Sequence, residues 1–164
     1  MRPAFNQLLN YDRNSGIFTW KINAGRHGRY KAGTVAGSIN TTGYCVIGVG
    51  KKQYEAHAIA WFMVTGEWPK RFIDHRDTDR TNNRFDNLRQ ATRSQNASNS
   101  KLRSDNKVKI KGVYAQGGKY RAQIRKNGKL HHLGMYLTIE DAAEAYRTAA
   151  TELHGEFARS RNNG

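Results

Sequence analysis

Covalent cross-links are nearly ruled out in this chain. Cys45 is the only cysteine among its 164 residues. No disulfide can form within the chain, and no zinc site can be built on cysteine ligands. No run approaches the ~18–20 apolar residues of a membrane-spanning helix. The first residues, Met1 to Asn6, lack the apolar core of a signal peptide. Acidic residues are also scarce: 13 Asp and Glu stand against 28 Lys and Arg, a formal charge of +15. The surplus is not a tail. Residues 1–100 hold 15 basic against 7 acidic side chains, and residues 101–164 hold 13 against 6. A surplus spread over both halves predicts a polyanionic partner.

The stretch that gives the chain its meaning runs from Ile73 to Asn96. Asp74 and His75 close a short apolar run. A polar loop follows from Asp77 to Arg84, then Asp86-Asn87-Leu88-Arg89 and Gln95-Asn96. An acid, a histidine and amides set among arginines are what metal-assisted phosphodiester hydrolysis needs. Carboxylate and amide oxygens are hard ligands suited to Mg²⁺ or Mn²⁺. A histidine titrating near ~6.5 can take a proton from water at neutral pH. Arginine holds phosphate. Asp77 and Asp79 do not make a calcium loop, because the glycine and the bidentate glutamate of an EF-hand are missing. Neighbouring residues on a regular strand face opposite ways. Asp74 and His75 can share a site only where the strand ends or distorts, and the polar run from Arg76 predicts that it ends.

This stretch, IDHRDTDRTNNRFDNLRQATRSQN, resembles the HNH endonucleases, in particular the phage and intron-borne homing type. The resemblance implies that His75 is the general base. It implies that Asp74 and Asn96 bind the metal and that Asn87 holds the His75 strand by hydrogen bonding. The last His of the family name is Asn96 here. The implied fold is a two-stranded hairpin followed by a helix, with the metal between them. Tyr44, His57 to Trp61 and Thr65-Gly66 resemble the segment that precedes the Asp-His motif in the same group. His57 is read as either touching phosphate or packing.

Upstream, residues 4–12 are expected to form one short helix, and Ile17 to Ile22 a strand. Ala24 to Gly33 is a Gly-rich basic loop, suited either to phosphate or to a solvated connection. Val35–Ile39 and Tyr44–Val49 read as a hairpin across Asn40 to Gly43. Ala56 to Val64 has apolar residues at helical spacing, with Gly66 as the expected C-terminal cap. Arg93 to Asn99 is a short polar helix of poor intrinsic propensity.

The pattern changes after a polar, basic stretch, 101–107, expected as a linker. Lys111 to Ala115 reads as a strand. Tyr120 to Arg125 alternates strictly, with Arg121, Gln123 and Arg125 on one face and Tyr120, Ala122 and Ile124 on the other. Asn127-Gly128 is a hairpin signal, followed by a third strand over Leu130–Gly134. Thr138 and Asp141 start a helix, Ala142 to Leu153 give it one small-residue face, and Gly155 ends it. A β-ribbon of this size can enter the major groove. This half resembles the Apetala/ethylene-response-factor DNA-binding domain. Positions matching its DNA-reading residues are Lys111, Tyr114, Gln116, Lys119, Arg121, Gln123, Arg125 and His132. Several depart from the usual Arg and Trp, so the family's recognition sequence does not transfer.

The expected whole is α+β: a ββα-metal HNH nuclease domain over 1–100, then, over 108–160, a three-stranded antiparallel sheet packed on one helix. The expected activity is Mg²⁺- or Mn²⁺-dependent cleavage of double-stranded DNA, one strand per monomer, in the cytoplasm of a phage-bearing or bacterial cell. The rival expectation is a non-cutting DNA-binding protein on the same scaffold, with RNA as a third, weaker substrate class.

Overall fold

A computed structural model describes residues 4–100, 102 and 104–158. Met1 to Pro3, Lys101 and Arg103 of the expected linker, and 159–160 of the expected second domain lie outside the described residues. The chain packs as two compact units that divide between Gln90 and Ala91. The division precedes the polar stretch 101–107 because the short helix α3, Arg93–Ser98, bonds into the second unit. Its Ser94 Oγ accepts from the Asn127 amide at 3.0 Å, and the Ser98 carbonyl accepts from Lys111 Nζ at 2.5 Å.

In the first unit, residues 4–12 are not one helix. Helix α1 is only Phe5–Leu8, and the chain then extends as β1, Leu9–Tyr11. Strand β2, Phe18–Trp20, pairs with it antiparallel, with Leu9 opposite Trp20. Tertiary pairing overrides local propensity here, because the alternating Leu9 and Tyr11 find partners across the turn. Strand β3 is also shorter than expected, Ser38–Ile39, with Val35 left as an isolated bridge to Thr19. It leads a three-stranded sheet with β4, Cys45–Val49, and β5, Lys52–Glu55.

Helix α2, Ala56–Thr65, follows, and Gly66 closes it in the left-handed conformation. Strands β6, Phe72–His75, and β7, Leu88–Ala91, pair as a two-stranded sheet. One core joins these elements through Phe5, Leu9, Ile47, Ile59, Ile73 and Leu88. Phe5 sits at its centre, edge-on to Tyr54 at 5.1 Å and stacked on Trp68 at 6.0 Å. Each such buried side chain stabilises the unit by ~1.5–3 kcal/mol.

The second unit holds β8, Val113–Gln116, β9, Lys119–Lys126, and β10, Lys129–Tyr136, in one antiparallel sheet with β9 central. The strand expected over Lys111–Ala115 starts only at Val113. Gly112 has a φ of +75°, and a Cβ there would lie 2.2 Å from the Tyr146 ring. Asn127 and Gly128 both have positive φ and join β9 to β10, as a two-residue type I′ hairpin requires. Thr138 accepts from the Asp141 amide at 3.1 Å and starts helix α4, Ile139–His154. Ala142, Ala150 and Tyr146 of α4 share a core with Val113, Ala122 and Ile124 of the sheet. Among the described residues, no helix is long and apolar enough to cross a membrane.

Candidate active site

β6 delivers the Asp-His pair and ends there. Beyond His75 the chain turns: Thr78 takes a φ of +66°, and its amide bonds the His75 carbonyl at 2.9 Å. Asp74 and His75 are both buried, at 5% and 4% exposure. Their partners differ, as the strand's alternation requires. Asp74 Oδ2 accepts from Arg89 Nε at 2.9 Å and Nη2 at 2.8 Å, in an ion pair buried on both sides. His75 Nε2 lies 3.3 Å from Asn83 Oδ1, and Asn83 Nδ2 donates to the Thr81 carbonyl. That second bond fixes the amide so that its oxygen faces the ring. Nε2 must then carry the hydrogen, and the neutral ring carries its lone pair on Nδ1.

Burial, and then the neighbouring His57, hold the His75 pKa below its ordinary value. The two imidazoles meet edge-to-face with centroids 5.2 Å apart. His57 is itself buried. Its Nε2 bonds Glu55 at 3.0 Å, while its Nδ1 has no hydrogen-bond partner among the described residues. The His57 bond holds the Glu55 carboxyl below its usual range. Tyr44 packs against both imidazoles, and the Arg80 guanidinium lies 4.8 Å over its ring.

Asn87 organises the loop. Its carbonyl accepts from the Arg76 amide at 2.9 Å, directly after His75. Its side-chain oxygen accepts from the Asp77 amide at 3.1 Å. Its nitrogen donates to Asp77 Oδ1 at 3.0 Å and to the Asn82 carbonyl at 2.9 Å. These bonds tie together both ends of the loop that carries Asn83. The β1–β2 hairpin supports the same loop from outside. Tyr11 donates its hydroxyl to the Asn83 carbonyl at 2.6 Å, and the Phe85 amide bonds the Arg13 carbonyl at 3.0 Å. Gly16 approaches so closely that a Cβ there would lie 2.5 Å from the Arg84 nitrogen. Burial pushes the Tyr11 hydroxyl up to about 12, so it stays a donor.

Asn96, the other residue expected at the metal, lies on α3 in the second unit. The helix is closed by a capping box: Thr92 Oγ1 accepts from the Gln95 amide, and Gln95 Oε1 from the Thr92 amide. Among the described residues, no group of three or more His, Cys, Asp and Glu could hold a metal ion. Two oxygen ligands, one carboxylate and one amide, suit a hard ion that keeps water and substrate phosphate in most of its shell, as Mg²⁺ does. Asp74 and Asn96 are of those two donor types, and Asp74 Oδ2 is already bonded by Arg89.

Seven of the eight expected DNA-reading positions share one sheet face. Tyr114 is opposite Arg121, Gln116 opposite Lys119, and His132 opposite Gln123, with Arg125 two residues further along β9. Lys111 stands apart, ahead of β8, with its ammonium on the carbonyls of Ser98 and Ser100. Residue type alone does not mark Arg89, Asn83, Tyr44 or Tyr11 as site residues. Arg89 and Asn83 lie inside the motif. Nothing in the local pattern marks Tyr11.

A profile of the HNH endonucleases matches residues 54–98. An uncharacterised HNH endonuclease of Acanthamoeba polyphaga mimivirus is 36% identical over 122 residues, 73% of this chain and 63% of that protein. The chain thus spans less than two thirds of that relative's length. Protein 3.8 of Escherichia phage T7 is 35% identical over 117 residues, 68% of this chain and 96% of its own length. No solved structure matches the chain.

Proposed function

We propose, from the HNH endonuclease domain matched over residues 54–98 and from the HNH endonuclease relative, that the chain is a metal-dependent DNA endonuclease of the homing type. It hydrolyses a phosphodiester bond of duplex DNA, one strand per protomer. His75 is the general base, and the proton of the attacking water passes to Nδ1. The Asn83 oxygen holds Nε2–H and so keeps the accepting nitrogen unprotonated. Asn87 is a positioning residue: it fixes the loop that holds Asn83. Asp74 and Asn96 would hold Mg²⁺ or Mn²⁺, which when bound supplies charge stabilisation at the phosphate and the leaving oxygen. The face bearing Tyr114, Gln116, Lys119, Arg121, Gln123, Arg125 and His132 reads duplex DNA, in the manner of the ethylene-response-factor domain; Lys111 flanks it.

One observation carries the reading: buried His75 sits on Asn83, whose own amide is committed to Thr81. That arrangement selects the tautomer a general base needs. A second reading, a DNA-binding protein that does not cut, is favoured by the Arg89 guanidinium, which already neutralises Asp74. Supercoiled plasmid separates the two. Nicking with Mg²⁺ or Mn²⁺ that EDTA abolishes is the expected result. Retained plasmid binding with no nick in either metal would leave the second reading.

A further inference from the structure

The second unit contains a cavity of about 500 Å³, within the ~300–1,000 Å³ of small-molecule sites. We propose that it binds one nucleotide unit, with the phosphate held by Arg93 and Arg125 and the base laid against an apolar wall. The inference goes beyond the proposed nuclease reaction and does not depend on it.

The charge argument comes first. Arg93, Lys111, Arg125 and His154 line the cavity, and no carboxylate does so among the described residues. Arg93 and Arg125 form no ion pair with any described residue, and Arg125 Nη1 donates to the Gly128 carbonyl at 2.8 Å. The His154 imidazole registers the excess. Burial, and then Lys111 and Lys126, hold its pKa below the ordinary value. Two guanidiniums without an ion-pair partner among the described residues call for an anion, and a guanidinium pairs with phosphate through two parallel bonds.

The remaining walls argue for more than a bare anion. Ile124, Ala97 and Tyr146 supply apolar surface, which an inorganic ion would leave unused. Ser94 and Ser98 also line the cavity, with the Ser94 hydroxyl accepting from the Asn127 amide and the Ser98 hydroxyl bonded to the Ser94 carbonyl and to His154. Arg93, Ser94, Ala97 and Ser98 share one face of α3, and Asn96 lies off that face. The ligand class is a phosphate monoester or diester carrying a flat, largely apolar body. It can come from a free nucleotide or from an unstacked nucleotide of bound DNA.

The test is isothermal titration of the full-length protein with dAMP, deoxyadenosine and inorganic phosphate. We expect dAMP to bind more tightly than either fragment. Arg93→Gln and Arg125→Gln should each weaken it by about ten-fold or more, as the loss of a hydrogen bond to a charged group does. Ala97→Phe, which fills the cavity, should abolish binding, with a thermal melt to verify that the unit still folds. Arg93 is an exposed residue, so its variant keeps the test decisive even if Ala97→Phe unfolds. A duplex that excludes dAMP identifies DNA as the source, and one that does not identifies a free nucleotide. No dAMP binding at millimolar concentration, or binding unchanged in both arginine variants, overturns the proposal.

Discussion

The two units differ in whether they bury Asp, His and Arg side chains. The first does. Asp74, His75, Asn83, Asn87 and Arg89 are all nearly inaccessible, and each has a named partner. The second unit buries the neutral side chains of Ser98, Asn99 and Asn106 but, among the described residues, no Asp, Glu, His, Lys or Arg; Val113, Ala122, Ala142 and Ala150 form its apolar centre, and Lys119, Arg125 and His132 stay on the surface. Buried polar groups cost free energy unless every one is satisfied, and once satisfied they fix one arrangement. Exposed cations stay adaptable and attract phosphate at long range. A unit built in the first way suits chemistry that needs fixed atoms. A unit built in the second suits a surface that grips a polyanion.

The largest expected effects separate these roles. His75→Ala should lower the cleavage rate by ~10²–10⁴-fold, the usual contribution of a general base, with DNA affinity nearly unchanged. Arg121→Ala should do the reverse. Each lost phosphate contact reduces the slope of log affinity against log salt by ~0.9, and the rate within the saturated complex should persist. Single-turnover kinetics and a binding series in salt read the two effects separately. If either variant changes both quantities alike, the division of roles fails.

Ion pairs offer the next contrast. Arg89→Met strands a buried carboxylate, and breaking such a pair costs ~3–5 kcal/mol. The Arg147–Glu144 pair on α4 is half exposed on one side and more on the other. Arg147→Ala should therefore cost only ~0–1 kcal/mol. Urea unfolding of both variants measures the difference. A near-equal loss would mean that water reaches Asp74.

Amides come third. Asn87→Ala removes the bonds to Asp77 and Asn82 and leaves the Asp77 amide without its acceptor. We expect a loss of ~1–3 kcal/mol and slower cleavage. Asn96 is only partly buried, and Asn96→Ala should reduce metal-dependent activity with little change in the melt. Equal melting points for the two would remove Asn87 from its positioning role.

What could be read from the sequence follows the range of the forces involved. Period-two alternation from Tyr120 to Arg125, the Asn127-Gly128 turn and the Thr138 cap are short-range, and the structure contains each. The change from helix to strand at Leu9 was not legible, because its cause is Trp20 on another strand. Nor was the support of Asn83 by Tyr11, a hydrogen bond spanning 72 residues. The motif supplied candidate chemistry at Asp74 and His75. It could not supply the partners Arg89 and Asn83, because residue types alone do not say which side chains meet.

The smallest expected effect is in the pH profile. The His75 pKa is lowered in the folded protein, by burial first and by His57 second. Above the unfolded value, near ~6.5, the ring is neutral in both states and contributes nothing to the pH dependence of stability. Below that value the unfolded chain takes up the proton more readily, so stability falls with pH until the folded ring also protonates. The same shift keeps the base unprotonated into mildly acidic solution. The acid limb of the cleavage rate should therefore lie below ~6.5, the ordinary titration point of histidine. His57→Phe removes the second cause and leaves the first, and should move that limb upward by a smaller amount than full exposure of His75 would. Rate–pH profiles of the two proteins decide the matter. An acid limb at or above the ordinary histidine value in the wild-type protein would show that the ring is solvated when it works, and the contrast between a buried unit and an exposed one would not extend to the base itself.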